Sequence, residues 1–127
     1  MVKVQLGELK GIIEGLEEIG SVKLPVKTAY WVGKLARLVM KEFQDFEEGR
    51  MKLLKEFAQL GQDGAPVIEN NSYVLSDAGG FAKAYTDLAT VEVEFDMRPF
   101  ALEQFGDVDV SPMALVKLNK FITEDAG

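Results

Sequence analysis

Val32, Ala36, Val39, Phe43, Phe46, Arg50, Leu53, Phe57 and Leu60 follow one another at alternating intervals of four and three, and all but Arg50 are apolar. A repeat averaging 3.5 residues keeps one seam of a long helix turned toward a partner helix, the spacing of a coiled-coil contact. Taken as one helix, residues 27–61 would span about 50 Å at 1.5 Å per residue. A compact chain of 127 residues is only about 35 Å across. The spacing therefore predicts a rod that outruns its own domain and needs another polypeptide along it. A second copy is the simplest cover, with Val32, Val39, Phe43, Phe46, Arg50, Leu53, Phe57 and Leu60 as the oligomer interface.

Chemistry is narrowed by what is missing. The chain has no cysteine and no histidine, which removes thiolate nucleophiles, imidazole bases, disulfides and Cys/His zinc sites. Its formal charge is −7, and residues 1–63 hold 10 Lys+Arg against 10 Asp+Glu while residues 64–127 hold 4 against 11. An excess of this sign disfavours sequence-independent contact with nucleic acid or anionic membranes and attracts a basic surface; it also serves plain solubility. The start, Met1-Val2-Lys3-Val4-Gln5-Leu6, lacks a basic segment followed by a long apolar run. No stretch approaches about 18 consecutive apolar residues, so the expectation is a cytoplasmic, membrane-free protein.

Periodicity predicts a first helix over residues 5–19, with Leu6, Leu9, Ile12, Ile13, Leu16 and Ile19 on one side and Gly20 as its stop. Gly7, Gly11 and Gly15 form a bare ridge within it, either for close approach of another backbone or as the mark of a weak helix. The short link 21–25 sets this helix antiparallel to the long one, so that it covers only the opening four turns or so. Beyond Phe46 the long helix is expected to be bare. Gly49 and Arg50 interrupt the seam as a kink, as an ion pair across an interface, or as the seam's end.

After residue 61 the pattern changes. Val67-Ile68 and Tyr73-Val74-Leu75 flank Glu69-Asn70-Asn71-Ser72 as a hairpin. Ser76 or Asp77 caps a short helix with Phe81, Ala84, Tyr85 and Leu88 on one face, and Ser111-Pro112 opens a last helix. Val91, Val93, Phe95 and Met97 alternate with Glu92, Glu94 and Asp96 as a strand, and Phe100 to Leu102 continues as an edge segment. The fold class is α+β in a single domain. A helical hairpin with one over-long helix occupies residues 1–61, and a small antiparallel β-sheet with two short helices occupies residues 62–127.

Candidate sites are few. Glu92, Glu94 and Asp96 offer a row of carboxylates for acid–base work or a hard cation, or simply a wet, partner-facing acidic surface. Asp107, Asp109 and Ser111 form an acidic loop without the ligand count or glycine of a calcium loop. Asp77-Ala78-Gly79-Gly80 is either an anion cradle or a capped helix start. Lys27, Tyr30, Trp31, Lys34 and Arg37 mix aromatic faces with cations, as binding hot spots and base-stacking surfaces do. Trp31 also lines up with Leu35 and Leu38, so packing against the first helix explains it at least as well. No serine, threonine, lysine or tyrosine lies in a nucleophile motif.

Lys23-Leu24-Pro25-Val26-Lys27-Thr28-Ala29-Tyr30-Trp31, the later Phe46-Glu47-Glu48-Gly49-Arg50 and the Tyr73-Val74-Leu75 strand resemble small uncharacterised proteins of tailed bacteriophages and prophages. The resemblance implies an accessory, assembly or virion-associated protein of the host cytoplasm or the virion, and it transfers no catalytic residue. The expected function is a non-enzymatic, homo-oligomeric interaction protein with no cofactor, partnered by itself and by a basic protein surface. A binder of a nucleotide-like signal using Arg37, Arg50, Lys52 or Arg98 is the alternative. A metal-dependent hydrolase using Glu92, Glu94, Asp96, Asp107 or Asp109 is a third class.

Overall fold

A computed structural model describes residues 1–106 and 110–123. Strand β1 (Val2–Gln5) leads through a 3-10 turn at Leu6–Glu8 into helix α1 (Leu9–Gly20), and the long helix α2 (Val26–Phe57) follows. The hairpin β2 (Ile68–Glu69) and β3 (Ser72–Tyr73) precedes helix α3 (Ala78–Ala89) and strand β4 (Glu92–Phe95). Strand β5 (Phe100–Ala101), helix α4 (Pro112–Lys117) and strand β6 (Ile122–Thr123) complete the described chain. The architecture is α+β, with the strands of the described residues in three two-stranded pairings: β1 with β4 and β2 with β3 antiparallel, β5 with β6 parallel.

The first helix starts at Leu9 rather than Gln5, because the residues ahead of it pair as β1. Val2 and Val4 are buried while Lys3 and Gln5 are exposed, and the register sets Val2 opposite Phe95 and Lys3 opposite Glu94. Four residues that run straight into a helical pattern leave too short a period of two to stand out. The β2–β3 tip is Asn70-Asn71, both with positive φ (52° and 64°), as a two-residue hairpin turn requires. Asp77 caps α3 by accepting a hydrogen bond from the Gly80 N–H at 2.9 Å. Ser111 caps α4 by accepting from the Ala114 N–H at 3.2 Å, with Pro112 at the first helical position.

At 32 residues, α2 is about 48 Å long, and its apolar stripe is covered from within the chain. Val32, Leu35, Val39 and Phe46 belong to the buried core with Leu9, Ile12, Leu16 and Ile19 of α1. Farther along, α3 takes over from α1: the Phe46 and Tyr85 rings lie 5.9 Å apart, and those of Phe57 and Phe81 6.4 Å apart. Of the residues read from the spacing as an oligomer interface, three are taken up by the chain's own core. Val32, Val39 and Phe46 are internal, Phe43 packs against the same core, and Leu53 and Phe57 are half-buried. Leu60 is 60% exposed but lies beyond the end of α2, bridged to Pro66. Within the chain the Arg50 guanidinium holds Glu47, three residues earlier on the same helix, at 2.8 Å. Gly49 beside it lets α3 come close, since a Cβ there would lie 3.2 Å from Leu88.

The glycine ridge of the first helix divides by position. A Cβ on Gly15 would sit 2.8 Å from buried Leu118 and 3.2 Å from Lys117 Cβ, so this glycine admits α4 against α1. A Cβ on Gly7 would meet Ala89 at 3.2 Å, whereas one on Gly11 would meet nothing within 4 Å. Two ion pairs fasten the C-terminal segment outside this contact, Lys117 to Glu14 and Lys120 to Glu8, both at 2.9 Å. The hydrogen bond and charge of Lys117 hold the Glu14 carboxyl below its ordinary range. For Glu8, partial burial pushes upward, but the Gln5 N–H and Lys120 together outweigh it and the net shift is downward.

These contacts predict opposite effects for two neighbouring glycines: Gly15→Ala lowers stability by about 1–3 kcal/mol through overpacking, and Gly11→Ala raises it by up to about 1 kcal/mol, both read by urea denaturation. Phe46→Glu removes a core ring and buries a charge, so it loses about 3–5 kcal/mol or more; Leu60→Glu stays within about 0.5 kcal/mol. Carboxyls whose folded pKa is lowered stabilise above their ordinary range, and that contribution is lost as pH falls through the depressed value. Thermal melts on acidification should therefore fall more steeply for the natural chain than for the Lys117→Met/Lys120→Met variant.

Candidate functional site

α2 buries one stripe, and the first half of the exposed stripe beside it is chemically unlike the rest of the protein. Residues 21–41 contain Lys23, Lys27, Lys34, Arg37 and Lys41 and no Asp or Glu, in a chain whose net charge is −7. The first turn of α2 has no acidic residue either, so the positive end of the helix dipole adds to the same field. Among the described residues the ion pairs use Lys3, Arg50, Lys117 and Lys120, and none of the five cations of residues 21–41 has an acidic partner.

Aromatic and aliphatic side chains are set between these charges. Val26 is 86% exposed, Tyr30 58%, Trp31 43% and Leu38 37%. The Trp31 and Tyr30 rings meet edge to face, with centroids 5.2 Å apart at 84°. Lys34 Nζ lies 5.1 Å from the centre of the indole ring, a cation–π contact worth about 0.5–1 kcal/mol at an exposed site. Large rings in this state hold a defined surface before any partner arrives, which lowers the entropy lost on binding.

The inner side of the same turns is anchored by the C-terminal part of the chain. Thr28, buried, donates its hydroxyl to the Gln104 carbonyl. Gly106, at φ +70°, lies against Pro25: a Cβ there would be 3.5 Å from the proline ring. The start of α2 is thus held from behind, and its outer face is presented as a convex ridge.

The cluster of Lys27, Tyr30, Trp31, Lys34 and Arg37 is brought together as the residue types suggest, and the packing of Trp31 against the first helix is not. Leu35 takes that inward position, fully buried, and leaves Trp31 and Leu38 facing out. Lys41 and Leu38 belong to the strip although sequence reasoning did not assign them to it. The signal was present: Lys27, Trp31, Lys34, Leu38 and Lys41 repeat at four, three, four, three, a second stripe beside the apolar one, within an acid-free stretch.

Other candidates are placed elsewhere. Glu92 and Glu94 are exposed on the outer face of β4, where Lys3 of β1 pairs with Glu94 at 3.3 Å, and Asp96 is exposed just past the strand's end. Among the described residues no group of three or more Asp or Glu is positioned to hold a metal ion. Asp107 and Asp109 lie outside the described residues. Asp77 occupies the Gly80 N–H itself, which closes the anion cradle. Arg50 is engaged by Glu47, Lys52 is exposed farther along the same line of α2 beyond Asp45 and Glu48, and Arg98 is exposed outside α2. A shallow cleft of about 270 Å³ beside Gly7 and Gly11 presents Lys117 and Lys120, both already neutralised by glutamates. No described helix is long and apolar enough to cross a membrane.

No protein-family model matches the chain, and neither a curated protein nor a solved structure matches it. Ammonium and guanidinium groups bind carboxylates or phosphates, and indole and phenol rings bind apolar or planar groups.

Proposed function

We propose that this chain is a non-enzymatic docking protein that binds an acidic partner through the outer strip of α2. One observation carries the reading: cations free of acidic partners alternate with an exposed tryptophan and tyrosine on an acid-free stretch of an acidic protein. Tyr, Trp and Arg are the residues that most often dominate binding energy at protein interfaces, and an electropositive ridge on a negative body orients an approaching acidic surface. Net charge argues against anionic partners for the molecule as a whole. Within a Debye length of about 8 Å, however, the partner meets the local sign, which here is positive.

Self-association along the apolar seam is not part of this reading, since Val32, Val39 and Phe46 are internal. Setting two copies of the strip face to face would oppose lysine to lysine. A convex ridge without walls also suits a macromolecule better than a nucleotide-like ligand, which needs a concavity. A phage-type accessory role sits within the same proposal, because the Lys23–Trp31 segment that carries the resemblance is the beginning of the strip.

Oligoglutamate is a suitable first probe, with the emission of Trp31, the single tryptophan of the chain, as the readout. Binding should weaken steeply as salt rises from about 50 to about 200 mM. Charge reversal at Lys27, Lys34 and Lys41 to Glu should abolish it while stability changes by about 0.5 kcal/mol at exposed Lys27 and Lys41 and by about 0.5–1 kcal/mol at half-buried Lys34, where the cation–π contact is lost. Undiminished binding by the triple variant would remove the strip from the function.

A further inference from the structure

The spacing of the strip carries the reading one step further, to the form of the partner. Lys27, Lys34 and Lys41 recur every seven residues, and Trp31 and Leu38 recur every seven between them. On α2 successive lysines of this set are therefore about 10.5 Å apart along the axis, and the ridge they form is about 21 Å long. A matching set of carboxylates must repeat at the same distance along a straight element. An α-helix with acids at every seventh position meets that requirement on one face, with apolar residues between the acids to cover Trp31 and Leu38. An extended strand repeats its side chains on one face at about 6.6–6.8 Å, out of step with 10.5 Å. A membrane surface or a flexible phosphate chain imposes no such period.

The stripe also bounds the contact. Continued at the same interval, the positions beyond Lys41 are Asp45 and Glu48 and then Lys52 and Lys55, so the sign reverses for two positions before it returns. An acidic helix lying along α2 is attracted over residues 27–41 and repelled at Asp45 and Glu48, which sets residues 27–41 apart as one block for three facing acids. Lys34 is the middle cation and already lies over the Trp31 ring, so the central partner carboxylate would meet a lysine whose position is restricted. Tyr30 and Arg37 stand beside the stripe, both exposed, and are available to flank the partner helix.

We infer that the occupant of the strip is an acidic amphipathic α-helix of another protein, packed along α2 with its carboxylates on Lys27, Lys34 and Lys41 and its apolar residues on Trp31 and Leu38. This inference rests on the docking reading above. The chemistry is that of a charged coiled-coil contact joined to an apolar one, with the partner supplying the negative half.

The test compares probes on the intact chain by Trp31 emission. The first is an alanine-rich helical peptide of about 24 residues with glutamate at every seventh position and leucine between. The second has the same composition with the glutamates displaced around the helix, and the others are oligoglutamate, phosphatidylglycerol vesicles and oligothymidylate. The in-register peptide should bind roughly tenfold more tightly than the displaced one, the product of about a twofold gain from each of three exposed pairs. Lys34→Glu should lose that peptide and recover binding to one whose central glutamate is replaced by lysine. Equal binding of in-register peptide, displaced peptide and oligoglutamate would overturn the helical partner and leave acidic docking standing. Binding of vesicles or oligothymidylate without the peptides would overturn it in favour of a lipid or nucleic-acid surface. If no probe moves the emission, the docking reading falls as well.

Discussion

A helix of 32 residues with an apolar stripe along most of its length cannot be covered by one neighbour of 12, and this mismatch of lengths organises the protein. The chain resolves it by laying two 12-residue helices along the same stripe, α1 over the first half of α2 and α3 over the second. Phe46 sits where the two covers meet, buried among core side chains and in ring contact with Tyr85. The small strands serve this arrangement. The β1–β4 ladder brings Val2, Val4 and Phe95 into the core, and the parallel β5–β6 contact returns the end of the described chain to the same place, next to Phe121.

Covering one side of α2 from within frees the other. With Thr28 tied to Gln104 and Pro25 backed by Gly106, the opening turns of α2 are held on their inner side, so their outer residues need no packing partner to be ordered. That is the physical link between core and proposed function: the same helix face alternation that buries Val32, Leu35 and Val39 presents Lys27, Trp31, Lys34 and Leu38. A site on a braced helix is better defined than one on a loop, and the Lys34–Trp31 contact restricts it further.

Much of the fold was legible because it depends on local rules. The long helix, the Asn70-Asn71 hairpin, the caps at Asp77 and Ser111 and the alternation of β4 are each set by residues within one or two turns of one another. The site was half legible, since Lys27, Tyr30, Trp31, Lys34 and Arg37 cluster in sequence. What misled was Trp31, whose alignment with Leu35 and Leu38 suggested an inward face. A helical stripe has two edges, and spacing alone does not say which edge the core takes.

The amino-acid sequence by itself determined that α2 would be long, that one stripe of it would seek cover, and that residues 21–41 would be positive within a negative chain. These are properties of composition and of a 3.6-residue turn. Only the tertiary structure decided that the cover is the chain's own α1 and α3, that Gly15 and Gly49 admit α4 and α3 while Gly11 admits nothing, and that Trp31 faces water. Those outcomes depend on contacts between residues tens of positions apart, such as Phe57 with Phe81 or Thr28 with Gln104, and periodicity along one segment carries no information about which distant segment will meet it.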